Sequence, residues 1–173
     1  MKIRTRDYVV LAMLGALTFV SKQAMEFAPN VHLIAVFITA VTVVYRKYAL
    51  YTVYVFVFLT GLINGFALWW IPYLYIWTVL WAAVMLLPKH MSEDTAKFAY
   101  MTVCGLHGLL YGTLYAPFQA IAFHLDFKGM LTWIAAGFPW DIIHGVSNFC
   151  MAVLILPFIQ AIKKAQSIAE KSV

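Results

Sequence analysis

The chain is poor in charge. Only 11% of its 173 residues are Asp, Glu, Lys or Arg, while 64% are hydrophobic. A soluble domain of this size cannot hide that much apolar surface. Cysteine is scarce too: Cys104 and Cys150 both sit inside apolar runs, with neither the number nor the spacing of a disulfide framework or a metal site. No H-E-x-x-H metal motif, G-x-S-x-G nucleophile turn or phosphate-binding glycine loop is present. A chain without a nucleotide site cannot power uphill transport alone. The formal charge of +5 comes from cations scattered at the ends of apolar stretches, with no basic stripe, which argues against a nucleic-acid partner.

What is present is apolar length. A bilayer core takes about 20 apolar residues per helix, and six such stretches nearly exhaust the chain as one domain over residues 1–173. Their ends are charged asymmetrically. Lys2, Arg4, Arg6, Arg46, Lys47, Lys89, Lys97, Lys163, Lys164 and Lys171 fall at one set of alternating ends, and only Lys22 and Lys128 at the other. Cytoplasmic loops retain Lys and Arg. The expectation is therefore an all-α, multi-pass membrane protein with six transmembrane helices and both termini cytoplasmic. The basic start at residues 1–6 runs into a long apolar segment without a cleavage site, so it reads as the first helix rather than a signal peptide.

The six helices are expected at about residues 8–27, 31–44, 49–66, 72–87, 96–123 and 140–162. Pro29 marks the first outer turn and Arg46-Lys47 the first inner one. Ser92 is placed to cap the fifth helix, with Glu93 and Asp94 at its positive end. Pro117 predicts a kink in that helix. An outer loop over 124–130, a short interfacial helix over 131–137 and a break at Gly137-Phe138-Pro139 are expected before the sixth, with a polar tail from Lys163.

Several constellations stand out. Ala12-x-x-x-Ala16, with Gly15 beside it, puts small residues on one face of helix 1, either for internal packing or for a partner helix. Trp70, Tyr73, Trp77 and Trp81 share a face of helix 4. The first two suit an aromatic belt; the deeper pair either packs internally or walls a pocket for a flat ligand. Asp141, His144 and Asn148 share a face of the last helix, as a structural pair or as pocket lining. Helix 5 carries His107, Tyr111 and Tyr115, with Gln119 beyond; Tyr115 and Gln119 are the better pocket candidates. Lys22, Glu26, His32 and Asn64 make an outer polar ring, and the roles of His32, His107 and His124 are left open. Asp141 and His144, with Ser147 on the same helix, leave a membrane-embedded enzyme as an alternative; a membrane assembly factor without a small ligand is another.

On length, span number, predicted termini and the Ala12-x-x-x-Ala16 motif, the chain resembles the substrate-binding S components of energy-coupling factor transporters. The resemblance covers nearly the whole chain. It implies a non-enzymatic subunit of the bacterial cell membrane, without cofactor or metal, that captures a vitamin-like micronutrient at the outer face. It also implies docking through Ala12 and Ala16 on a transmembrane coupling protein with two ATP-binding-cassette ATPases. In such proteins the pocket is carried inward by toppling, and ATP hydrolysis resets the complex. The pocket implied here draws on Trp70, Tyr73, Trp77, Tyr115, Gln119, Asp141, His144 and Asn148. The segment 128–145 is similar to the corresponding part of thiamine-binding members, with His144 as the residue that touches ligand. The signatures of riboflavin, biotin and folate members are not found, so the ligand stays open. Unlike that family, the outer loops are very short; enclosure would fall to residues 28–30, 68–71 and 124–137.

Overall fold

The computed structural model describes residues 3–171, with side chains through Ile168. Lys2 and the Lys171 side chain, both counted in the charge asymmetry, lie outside the described residues. The chain is all-α: 84% is helical and no strand occurs among the described residues. The helices are α1 (Thr5–Ala24), α2 (Ile34–Tyr45), α3 (Ala49–Asn64), α4 (Tyr73–Leu86), α5 (Glu93–Leu109), α6 (Tyr111–Ala122), α7 (Phe127–Met151) and α8 (Ile155–Lys171). Short 3-10 turns occupy Arg46–Tyr48, Leu68–Trp70 and Ala152–Leu154.

Local chemistry fixes the helix ends. Asp7 accepts from the Arg4 amide at 2.8 Å and places an anion in the first turn of α1. Ser92 caps α5 by accepting from the Thr95 amide, as its position in the sequence suggests. Asp126 caps α7 by accepting from the Gly129 amide at 2.7 Å. That cap overturns the expected outer loop over 124–130, because the helix already begins at Phe127. The separate interfacial helix and the break at Gly137-Phe138-Pro139 are also absent. α7 runs through Pro139 as one 25-residue helix. A proline forfeits one backbone bond, which a surrounding helix packing tolerates in apolar surroundings.

The expected fifth helix is divided, but at Leu110 and not at Pro117, which lies within α6. Gly105, Gly108 and Gly112 make this stretch a weak helix former. The expected sixth helix is likewise divided, at the Ala152–Leu154 turn. It resumes as α8 with Pro157 in the first turn, where a missing amide hydrogen costs nothing, and the polar tail from Lys163 is helical.

Paired contacts give the helix directions. Tyr8 meets Tyr51, Thr52 Oγ1 donates to the Leu11 carbonyl, and Asn64 donates to Gln23, so α1 and α3 run together. Trp70 donates to the Val57 carbonyl and Trp81 to that of Arg46, so α4 runs back along α3. Cys104 lies against Thr39 and Ala35, and Phe37 against Phe158. α1, α3, α5 and α6 thus run one way and α2, α4, α7 and α8 the other. Arg6 and Asp7 line one cleft with Ala165 and Gln166, which puts the two described ends of the chain at the same end of the bundle.

α2 is the axis of the packing. Every residue from Ile34 to Thr42 is buried, as expected of a helix that is apolar all round. The outer helices carry the reverse pattern: Met13 is 65% exposed, Ile121 76% and Val146 60%. Three stretches, Ile34–Asn64, Leu68–Leu86 and Phe127–Ile168, are long and apolar enough to cross a membrane. The first of them reverses at Arg46, so that α2 and α3 lie side by side.

α5 and α7 approach through glycine. A Cβ on Gly108 would lie 2.8 Å from the His144 carbonyl oxygen and 2.9 Å from Asn148 Nδ2, and one on Gly145 would lie 3.1 Å from the Gly105 carbonyl. Backbone atoms cannot swing aside. Gly108→Ala should therefore lower stability by about 1–3 kcal/mol, read as a lower melting temperature in detergent. Gly137→Ala, whose added methyl would meet nothing within 4 Å, should melt no lower than the parent.

Candidate functional site

A ring cluster occupies the middle of the molecule. Trp77 of α4, 1% exposed, is its centre. Around it stand Tyr73 at 5.7 Å between ring centroids, His107 at 5.5 Å, Tyr111 at 5.8 Å and His32 at 6.0 Å. His144 closes the set, 4.8 Å from His32 and 4.9 Å from Tyr111. These rings come from the lead-in to α2 and from α4, α5, α6 and α7, so only the folded bundle assembles them.

A cavity of about 180 Å³ opens onto this cluster. Its floor is His32, Tyr73, Tyr111 and His144; its walls are Lys22, Met25 and Glu26 from the end of α1 and the turn at residues 28–31. Lys22 and Glu26 pair at 3.0 Å at the rim. At about 30 Å³ per water the space holds roughly six waters, or one small ring.

The polar atoms below the cavity are poorly matched within the protein. His32 Nδ1, Trp77 Nε1, His107 Nδ1, His144 Nε2 and both amide atoms of Asn148 are buried without a hydrogen-bond partner. Buried polar groups are ordinarily paired, and each one left bare costs about 1–3 kcal/mol. Their chemistry is varied. His107 Nε2 donates to the Ile76 carbonyl at 3.0 Å, which leaves Nδ1 of the neutral ring as an acceptor. Trp77 Nε1 can only donate, and Asn148 offers both kinds of group on one plane. Of this set His32 and His144 stand in the cavity lining beside Tyr73 and Tyr111, where a flat, polar molecule can stack and bond, while Trp77, His107 and Asn148 lie buried behind them. No group of three or more His, Cys, Asp or Glu among the described residues is arranged to hold a metal ion.

The residues singled out in the sequence divide into three groups. Tyr73 and His144 line the cavity, with Trp77 and Asn148 directly beneath. Others have structural bonds elsewhere. Trp70 Nε1 donates to the Val57 carbonyl at 2.8 Å. Trp81 bonds the Arg46 carbonyl at the opposite end of α4. The Tyr115 hydroxyl donates to the Trp69 carbonyl at 2.8 Å, with its ring stacked on Trp133. Gln119, half-buried on α6, is not in the lining, nor is exposed His124. Ala12 is exposed and Ala16 half-buried; their neighbour Gly15 makes the internal contact, packed on Thr52 and Val55 of α3.

Asp141 has a different task. Its Oδ1 accepts from the Gly112 amide at 3.0 Å, and that amide lies in the first turn of α6, where no intrahelical acceptor exists. The carboxylate caps the helix restarted after Leu110 and places an anion at its positive end. It is bonded to Gly112 and not to His144, so the two do not form the orienting pair that a Ser147-based triad requires.

The turn at residues 28–30 and His32, placed at the outer rim from the sequence, do line the cavity, whereas Tyr111, which also lines it, was not among the expected pocket residues. The available signal was the spacing of Tyr111 and His107, four residues apart on one face. Compared with known protein families, curated proteins and solved structures, the chain matches none.

The capping assignment is testable. Asp141→Ala should cost about 1–3 kcal/mol of stability by leaving a buried amide bare. Asp141→Asn, which keeps the acceptor, should retain most of it. Detergent melting curves on the two variants separate a cap from a residue that only meets ligand.

Proposed function

We propose that this protein is the substrate-binding subunit of an energy-coupling-factor-type importer in a bacterial cell membrane, taking up a vitamin-like micronutrient. One observation carries the reading: buried, unpaired donors and acceptors of His32, Trp77, His107, His144 and Asn148 lie beneath a small aromatic cavity in a chain that is otherwise apolar. Polar groups at such depth are costly and normally face a cavity or partner. A solute that stacks on the rings and pairs with these atoms would remove that cost.

In this proposal the chain crosses the bilayer six times, with α5–α6 and α7–α8 each acting as one span. The common end of the two termini faces the cytoplasm, which places the Lys22–Glu26 rim and the cavity outside. The exposed side of α1 that carries Ala12 and Ala16 docks on the transmembrane coupling protein, which is driven by two ATP-binding-cassette ATPases. Small side chains there let another helix come close, while Gly15 beside them packs on Thr52 and Val55 of α3.

Two measurements test the proposal. In a background with Cys104 and Cys150 replaced, a cysteine at Lys128 should be labelled by an impermeant reagent on intact cells, and one at His90 should be protected. The reverse pattern would refute the topology. Second, His144→Ala should weaken retention of the co-purifying small molecule by about tenfold, the equivalent of roughly 1.4 kcal/mol. Ala16→Trp should leave that retention intact while abolishing uptake and co-purification of the coupling protein. No retained small molecule in the parent protein, by native mass spectrometry, would count against the reading altogether.

A further inference from the structure

The opposite end of the bundle carries a second cavity, of about 320 Å³. It is lined by Tyr45, Arg46, Lys47, Tyr48, Met85 and Lys89: three cations and no acid. Among the described residues none of the three cations has a carboxylate partner. Lys47 lies over the Tyr48 ring at 5.2 Å.

Arg46 sits where a glycine would be expected. It reverses the chain between α2 and α3 with φ 52° and ψ −122°, a conformation that favours glycine. Two bonds hold it: Trp81 Nε1 donates to its carbonyl at 3.2 Å, and its own Nη2 donates to the Met85 carbonyl at 2.9 Å. The second bond uses one of five guanidinium N–H donors. The remaining fork suits the planar, bidentate recognition of a phosphate.

An apolar groove starts at the same place. It runs along α3 from Lys47 past Leu50, Tyr54, Val55 and Phe58 to Leu59, with a volume of about 630 Å³. Lys47 lines both the groove and the basic cavity. Twelve residues of helix extend about 18 Å, close to the roughly 15 Å of hydrocarbon in one leaflet. A basic cavity with room for more than a phosphate, continuous with a leaflet-deep apolar groove, matches a molecule with an anionic head and an acyl tail.

We propose that this paired cavity and groove bind one anionic phospholipid, its phosphodiester held by Arg46, Lys47 and Lys89 and an acyl chain laid along α3. Basic pockets at the cytoplasmic ends of membrane helices recognise lipid headgroups in this way. The assignment needs the chain to lie in a membrane but not the transport reading, and it concerns the end of the bundle remote from the aromatic cavity.

The test uses the full chain in nanodiscs of mixed phosphatidylglycerol and phosphatidylcholine, released for native mass spectrometry. One phosphatidylglycerol per chain should be retained in preference to phosphatidylcholine by more than tenfold. Each surface cation contributes roughly fivefold to such binding, so Lys47→Gln/Lys89→Gln should lower retention about twenty-five-fold. Arg46→Gly should also lose the lipid with little change in melting, because the relieved positive-φ backbone offsets the lost bond to the Met85 carbonyl. Glycerol phosphate, which has the head without the tail, should compete only at far higher concentration. Equal retention of the two lipids, or retention unchanged in the lysine pair, overturns the proposal. So does competition by glycerol phosphate as strong as by lipid, which would mark a site for a soluble phosphate. Loss of a co-purifying protein from the lysine pair with lipid retention intact would mark a protein-docking face and equally overturn it.

Discussion

The close approach of α5 to α7 is the contact on which the rest of the molecule depends. Gly105, Gly108 and Gly145 remove the side chains that would keep the two backbones apart. The approach puts His107 and the His144–Asn148 face at one level, and it carries Asp141 to the amide of Gly112. One interface thereby sets the floor of the cavity and the restart of α6. Where lipid replaces water there is no hydrophobic drive between helices, so packing of this closeness supplies the association.

The opposing demands on the chain are met in separate places. α2 is buried from Ile34 to Thr42 and packs in one core with Trp77. The helices around it present apolar residues outward. Some buried polar side chains bond across helices, as Thr52 does to Leu11 and Asp141 to Gly112. Thr18, Thr42 and Thr60 return their hydroxyls to carbonyls one turn back and so are satisfied within their own helices. The unpaired His32, His107, His144 and Asn148 atoms gather around Trp77, whereas the unpaired Tyr45 hydroxyl lies at the other end of α2. That contrast is what gives the region its functional reading.

Much of the fold could be read along the chain. The Ser92 cap and the start of α3 at Ala49 are local events, decided by side chains within one turn of the backbone they affect. Local reasoning failed where a distant residue decides the outcome. Pro117 and Pro139 look like breaks but lie inside α6 and α7, while Leu110, unremarkable in sequence, is where a helix divides. Asp141, twenty-nine residues beyond Gly112, supplies the acceptor that makes that division tolerable. The site was half legible for the same reason. Tyr73, Trp77, His144 and Asn148 share faces that periodicity exposes, but Trp70 and Tyr115, equally prominent by type, spend their polar atoms on carbonyls of other segments.

The sequence by itself determined that the chain is helical and apolar, since a composition of 64% hydrophobic residues with few charges leaves little else. It also determined where the charges stop each apolar run, because a charged side chain and an apolar one differ in solvation wherever they fold. Tertiary structure alone decided which polar residues meet. His32 precedes α2 and His144 lies on α7, yet their rings stand 4.8 Å apart. Helical periodicity fixes the angle of a side chain about its own axis, not the neighbour that axis will have. That choice falls to the glycines of α5 and α7, whose small size matters only once another helix is beside them.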